Sequence, residues 1–157
     1  MVAMDERRER RPPRAIVYYD GDCALCNWSV ARCLSRGVPP GVRFAPQDGE
    51  SFKRLTAVRP DLAQLDSMVL QILPATRAGV ASDSPLPGEI KVRSAAVLWL
   101  AARLDGPERR LALLARIVPR AVLDWGYRVL ARNRRQVGRR LTECPVPTPE
   151  QRRYFLA

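Results

Sequence analysis

The residues best suited to chemistry in this chain are Cys23-Ala24-Leu25-Cys26. Two cysteines three positions apart on a helix hold their Cβ atoms about 5–6 Å apart, within reach of a disulfide after modest adjustment. Such a pair can close and reopen, cycling between dithiol and disulfide. A cysteine at the start of a helix also meets unpaired backbone N–H groups and the positive end of the helix dipole. Both favour thiolate and can lower a thiol pKa from roughly 8.5 to near 7 or below. Cys23 is on this ground the candidate nucleophile. Cys26, one turn deeper on the apolar stripe, is the candidate resolving thiol. Asp20 and Asp22 act in the opposite sense, because negative charge beside a thiolate raises its pKa. Either carboxylate is also placed to take the proton from Cys26 during resolution; the simpler reading is that Asp22 caps the helix and Asp20 shapes the turn.

Composition removes several rival chemistries. The chain of 157 residues contains no histidine, which excludes a histidine general base, a Ser/His/Asp triad and any zinc site with a histidine ligand. A domain of this length buries enough apolar surface to stand without disulfide or metal staples, so the four cysteines are not needed for stability. No apolar run approaches the roughly 20 residues of a spanning helix, and the arginine-rich N-terminus has no apolar stretch of signal-peptide length. A soluble, cytoplasmic protein is expected. Lys and Arg number 27 against 16 acids, a formal net charge of +11. Arg128, Arg132, Arg134, Arg135, Arg139 and Arg140 give a non-enzymatic basic module for nucleic acid or an anionic surface as an alternative. With aromatic content of 6% and no recognised binding motif, nucleic-acid binding is not expected as the main function. The other alternative is a structural zinc site on Cys23, Cys26, Cys33 and Cys144. Its spacing is poor, since the chain lacks a second Cys-x-x-Cys pair and Cys33 falls seven residues after Cys26, about 10 Å along a continuous helix. Cys33 reads better as a small core residue; the place of Cys144 is open.

The elements that must position the dithiol follow from hydrophobic patterning. Residues 1–14 read as a disordered basic arm. Ala15 to Tyr19 suits a buried strand, closed by Asp20-Gly21-Asp22, and a helix runs from the dithiol to Ser35. A strand over Val42–Ala45, a helix over Ser51–Val58, a strong strand over Ser67–Leu73, a loop over 75–89 and a short strand over Glu89–Val92 come next. A helix over Ala95–Leu104 follows, capped by Ser94. This order, βαβ then αββα, predicts an α/β fold with a thioredoxin-like core over 15–105. Residues 106–157 form a C-terminal helical extension and tail, with helices over Glu108–Val118 and Arg120–Arg134 parted by Pro119. Cys144 to Pro149 reads as extended, and Glu150 to Phe155 as a helical turn or two. The apolar residues Leu111, Leu114, Ala115 and Val118, and then Val122, Trp125, Val129 and Leu130, recur at helical spacing. Their faces are expected to cover the core and leave the arginines outward, the whole forming one domain.

The segment Val17 to Asn27, VYYDGDCALCN, resembles the signature of the DCC family of predicted thiol-disulfide oxidoreductases through Asp20, Gly21, Asp22, Cys23, Cys26 and Asn27. The likeness continues through Arg43-Phe44-Ala45-Pro46, Arg93-Ser94-Ala95-Ala96, Tyr127 with Ala131-Arg132-Asn133-Arg134, and Cys144. It implies a thioredoxin-like fold and a dithiol at Cys23 and Cys26; the chain as a whole reads as a bacterial-type thiol-disulfide oxidoreductase that needs no bound organic cofactor. The partner is then a protein or small-molecule thiol or disulfide substrate; substrate identity and oligomeric state stay open. Two features depart from the pattern. Thioredoxins carry a cis-proline before the third strand, where this chain has Asp66-Ser67, so substrate docking differs. Gln136-Val137-Gly138 lacks the aromatic residues expected after the Arg-Asn-Arg segment.

Overall fold

Ala15–Tyr19 (β1) is the strand around which the other elements are arranged. Its residues are β-branched, aromatic or small, and they are covered on both sides. Ala15 and Val17 point into one layer, Ile16 and Tyr18 into the other. A strand covered on two faces reads as an unbroken apolar run, which is why β1 was legible without alternation. In the computed structural model the described residues are 14–21, 24–65, 67–73, 88–133 and 148–156.

The sheet has the order β2-β1-β3-β4, with β2 at Val42–Pro46, β3 at Val69–Ile72 and β4 at Glu89–Val92. β1 and β2 run parallel, so the chain must cross over between them, and helix α1 (Ala24–Arg36) is that crossover. β3 pairs antiparallel with β1, and β4 antiparallel with β3. Helix α2 (Glu50–Val58) packs Phe52 and Leu55 on the layer containing Ile16 and Tyr18. α1 and helix α3 (Arg93–Ala101) cover the opposite layer through Val30, Cys33, Ala96 and Leu100. The result is the thioredoxin-like α/β arrangement that the element order predicts.

Gly88 is required at the entry to β4. A Cβ there would lie 1.8 Å from the Ile72 carbonyl oxygen, so the two strands approach too closely for any side chain. At the other side of the sheet, Leu156 donates its amide to the Phe44 carbonyl at 2.8 Å, and Phe155 bridges to Phe44 in parallel. The tail thereby pairs with the edge of β2, which would otherwise expose unpaired backbone groups.

Several expectations are corrected. The 108–118 helix is an α-helix only over Pro107–Leu114 (α4) and tightens into a 3-10 turn at Ala115–Ile117. The last long helix, α5, spans Arg120–Arg132. Ser94 is not a cap: Val92 holds that position, and Ser94 lies buried inside α3, its hydroxyl donating to Asp124. The apolar faces of α4 and α5 do not cover the core. Leu111 and Leu114 are 66% and 63% exposed, and Val118, Val122, Trp125, Val129 and Leu130 are exposed too. The helices pack on α3 through other positions, Ala112 on α4 and Asp124 on α5 among them. Helical spacing marked these apolar residues but could not say which side of each helix met the protein, nor that Val118 leaves the helix in extended conformation. Residues 1–13, the 74–87 connection, the 134–147 segment with Cys144, and Ala157 lie outside the described residues.

Candidate functional site

The central strand β1 delivers the chain to Asp20 and Gly21, and α1 starts at Ala24, the residue after Cys23. Asp22 and Cys23 themselves lie outside the described residues. Cys26 sits in the first turn of α1 and is half-buried. Asn27 follows it and donates its side-chain amide to the Gly21 carbonyl at 2.7 Å. This bond fastens the turn at Gly21 to the first turn of α1, a use of a short amide side chain that suits Asn. Sequence reasoning counted Asn27 only as a motif match; its position six residues after the turn glycine was the available signal.

The site end of the sheet is assembled from all four strands. β1 and β2 end there, β3 begins there and β4 ends there. Gln47 ties three of them, its amide donating to the Tyr19 carbonyl at 2.9 Å and its side chain to the Ser67 carbonyl at 2.8 Å. The Met68 amide donates to the Tyr127 hydroxyl at 3.2 Å, and its carbonyl accepts from the Arg93 amide at 3.3 Å. With the Ser94–Asp124 bond, these contacts attach α5 to the end of the sheet from which β1 leads towards α1. Arg93 has φ of 54°, a left-handed conformation that costs a non-glycine residue about 1–2 kcal/mol and is held by these surroundings. The Ser67 hydroxyl is buried without a partner. Tyr127 belongs to the weaker part of the DCC resemblance, and the sequence offered no reason to place its hydroxyl beside β3. Gln47 and Asp124 were not singled out at all.

The remaining cysteines separate. Cys33, two turns beyond Cys26, is buried in the core layer with Val30 and Leu100. Burial, aided by the nearby Glu108 carboxylate, pushes its thiol up to about 12. It is a neutral packing residue, as its place on the apolar stripe indicates. Cys144 is outside the described residues, as are Arg134, Arg135, Arg139 and Arg140, while Arg128 and Arg132 are exposed on α5. Among the described residues, no three Cys, Asp or Glu side chains come together as a metal site. Glu108 joins α4 to α1: its Oε1 accepts from the Arg32 Nε and Nη2 at 2.8 Å each, with Arg36 at 3.7 Å. Its own backbone amide and these arginines hold the carboxyl below the ordinary range.

Comparison with known proteins gives two matches. The family model for DCC1-like thiol-disulfide oxidoreductases matches residues 17–140. The chain is also 27% identical over 147 residues to the uncharacterized protein YuxK of Bacillus subtilis (strain 168), an alignment covering 92% of this chain and 95% of that protein. No solved structure matches significantly.

Proposed function

The chain belongs to the DCC1-like thiol-disulfide oxidoreductase family, and from that premise we propose that Cys23 and Cys26 are its working dithiol, Cys23 attacking and Cys26 resolving. The observation that carries this reading is the position of the motif. Cys-x-x-Cys falls at the junction between the central buried strand and the first turn of α1, where a rigid strand aims the turn and the helix start favours thiolate. Cys33, buried and neutral, is no competitor for the chemistry.

In the reducing direction, the Cys23 thiolate attacks one sulfur of a substrate disulfide, and the other sulfur leaves as thiolate and takes a proton from solvent. Cys26, once deprotonated, attacks Cys23 Sγ and expels the second substrate thiol. The substrate gains two electrons and two protons, and the protein is left with a Cys23–Cys26 disulfide that a second dithiol must reduce. We assign the activity to a protein-disulfide reductase or a related exchange on a small-molecule disulfide, carried out in the cytoplasm without a bound cofactor. No helix among the described residues is long and apolar enough to cross a membrane.

The test uses two variants. Cys23→Ser should abolish dithiol turnover, whereas Cys26→Ser should accumulate mixed disulfides through Cys23. Faster alkylation of Cys26 than of Cys23 in the reduced protein would reverse the roles. Stoichiometric zinc lost together with the fold on chelation would replace the redox reading with a structural metal site.

A further inference from the structure

Of the twelve large apolar side chains exposed among the described residues, nine fall within residues 111–130. They are organised by the helices rather than scattered. α5 turns Asp124 and Tyr127 inward to Ser94 and Met68. Val122, Trp125 and Val129, at steps of three and four, occupy the opposite side. On α4, Glu108 and Ala112 face the protein, while Leu113 and Leu114 point away and lead to Ile117, which is 82% exposed. A patch this concentrated marks an interaction site rather than ordinary surface.

The charges around the patch indicate what covers it. Residues 107–133 contain six arginines, at 109, 110, 116, 120, 128 and 132, and two acids, Glu108 and Asp124. Both acids are engaged inward, Glu108 by Arg32 and Arg36 and Asp124 by Ser94. No described residue forms an ion pair with any of the six arginines. The outward surface is therefore apolar and cationic, with tryptophan, leucine and isoleucine among arginines. That composition suits a helix lying in the interface of an anionic lipid layer, apolar side chains among the acyl chains and guanidinium groups at the phosphates. A second copy of the chain would bring two sets of arginines together, and like charge opposes that pairing.

We propose that the outer face of α4 and α5 docks this protein on an anionic phospholipid surface. Docking is peripheral and reversible and is independent of the dithiol assignment. The test is co-sedimentation of the full chain with vesicles of phosphatidylcholine alone or mixed with phosphatidylglycerol, across a salt series. Affinity for the anionic vesicles should exceed that for neutral ones by about tenfold or more and fall as salt rises, since each surface cation contributes and salt screens it. Ile117→Ser with Trp125→Ser, and separately Arg116→Gln with Arg120→Gln, should each weaken binding at least about tenfold. All four side chains are exposed, so the fold should survive, which circular dichroism checks; should the apolar variant fail to fold, the arginine variant still decides. Equal binding to both vesicle types, no sedimentation, or a micromolar dimer that the apolar variant converts to monomer would each overturn the proposal. So would binding to an acidic peptide or to duplex DNA in preference to vesicles.

Discussion

Cys26 and Cys33 share one helix, yet their environments separate them: Cys26 is half-buried in the first turn and Cys33 is sealed in the core. At pH 8 a thiol with a pKa near 12 holds only about one ten-thousandth of its population as thiolate. Iodoacetamide should therefore leave Cys33 unmodified in the native protein and label it once denaturant is added, as peptide mass spectrometry would show. Cys33→Ser should cost about 1–3 kcal/mol, because it brings a hydroxyl into an apolar layer, and should leave dithiol exchange unchanged. Loss of exchange in that variant would bring Cys33 into the chemistry. The core role of Cys33 was legible because it falls on an apolar stripe, whereas the pairing of Cys23 with Cys26 is a proposal that their spacing motivates. The bonds that brace the site were not legible. Gln47, Asn27 and Tyr127 act through backbone groups 6 to 59 residues away, and no local pattern encodes a partner that only folding brings near.

Elements were read well where one pattern dominated and less well where a polar residue had two uses. Ser94 has the residue type of a cap, but the helix already begins at Arg93 behind Val92, and the Ser94 hydroxyl donates instead to Asp124 thirty residues later. The closing of β3 on β4 depends on Gly88, so Gly88→Ala should destabilise the protein by about 2 kcal/mol or more, measured by urea unfolding, since a methyl group has no space beside the Ile72 carbonyl. The joint between α4 and α1 depends on ionised Glu108. A carboxyl held below its unfolded value, about 4.5, contributes stability that is complete above that pH and lost as pH falls through the lower folded value. Wild-type protein should thus lose stability below about pH 4.5 more steeply than Glu108→Gln; parallel profiles would remove this joint from the account of acid sensitivity.

For the whole molecule, the order of strands and helices was sufficient to give the thioredoxin-like core, because a parallel β1–β2 pair and an antiparallel β1–β3–β4 set leave few ways to connect them. The outer layer was harder to read. An amphipathic helix announces an apolar face but not whether that face meets its own chain, and here α4 and α5 pack through small and polar positions instead. The tail contributes more than its proline-rich sequence indicates, with the Phe155 ring tilted against that of Phe44, their centroids 5.7 Å apart. Phe155→Ala should cost about 2 kcal/mol by thermal or urea unfolding, the loss expected for a partly buried aromatic side chain. The proposed activity rests on one reversible bond. Redox-buffer equilibration of the intact chain, followed by acid quenching, thiol alkylation and peptide mapping, measures it directly. A single two-electron transition linking Cys23 to Cys26, absent from both Cys23→Ser and Cys26→Ser, is predicted; a disulfide from either cysteine to Cys144, or no reversible disulfide at all, would contradict it.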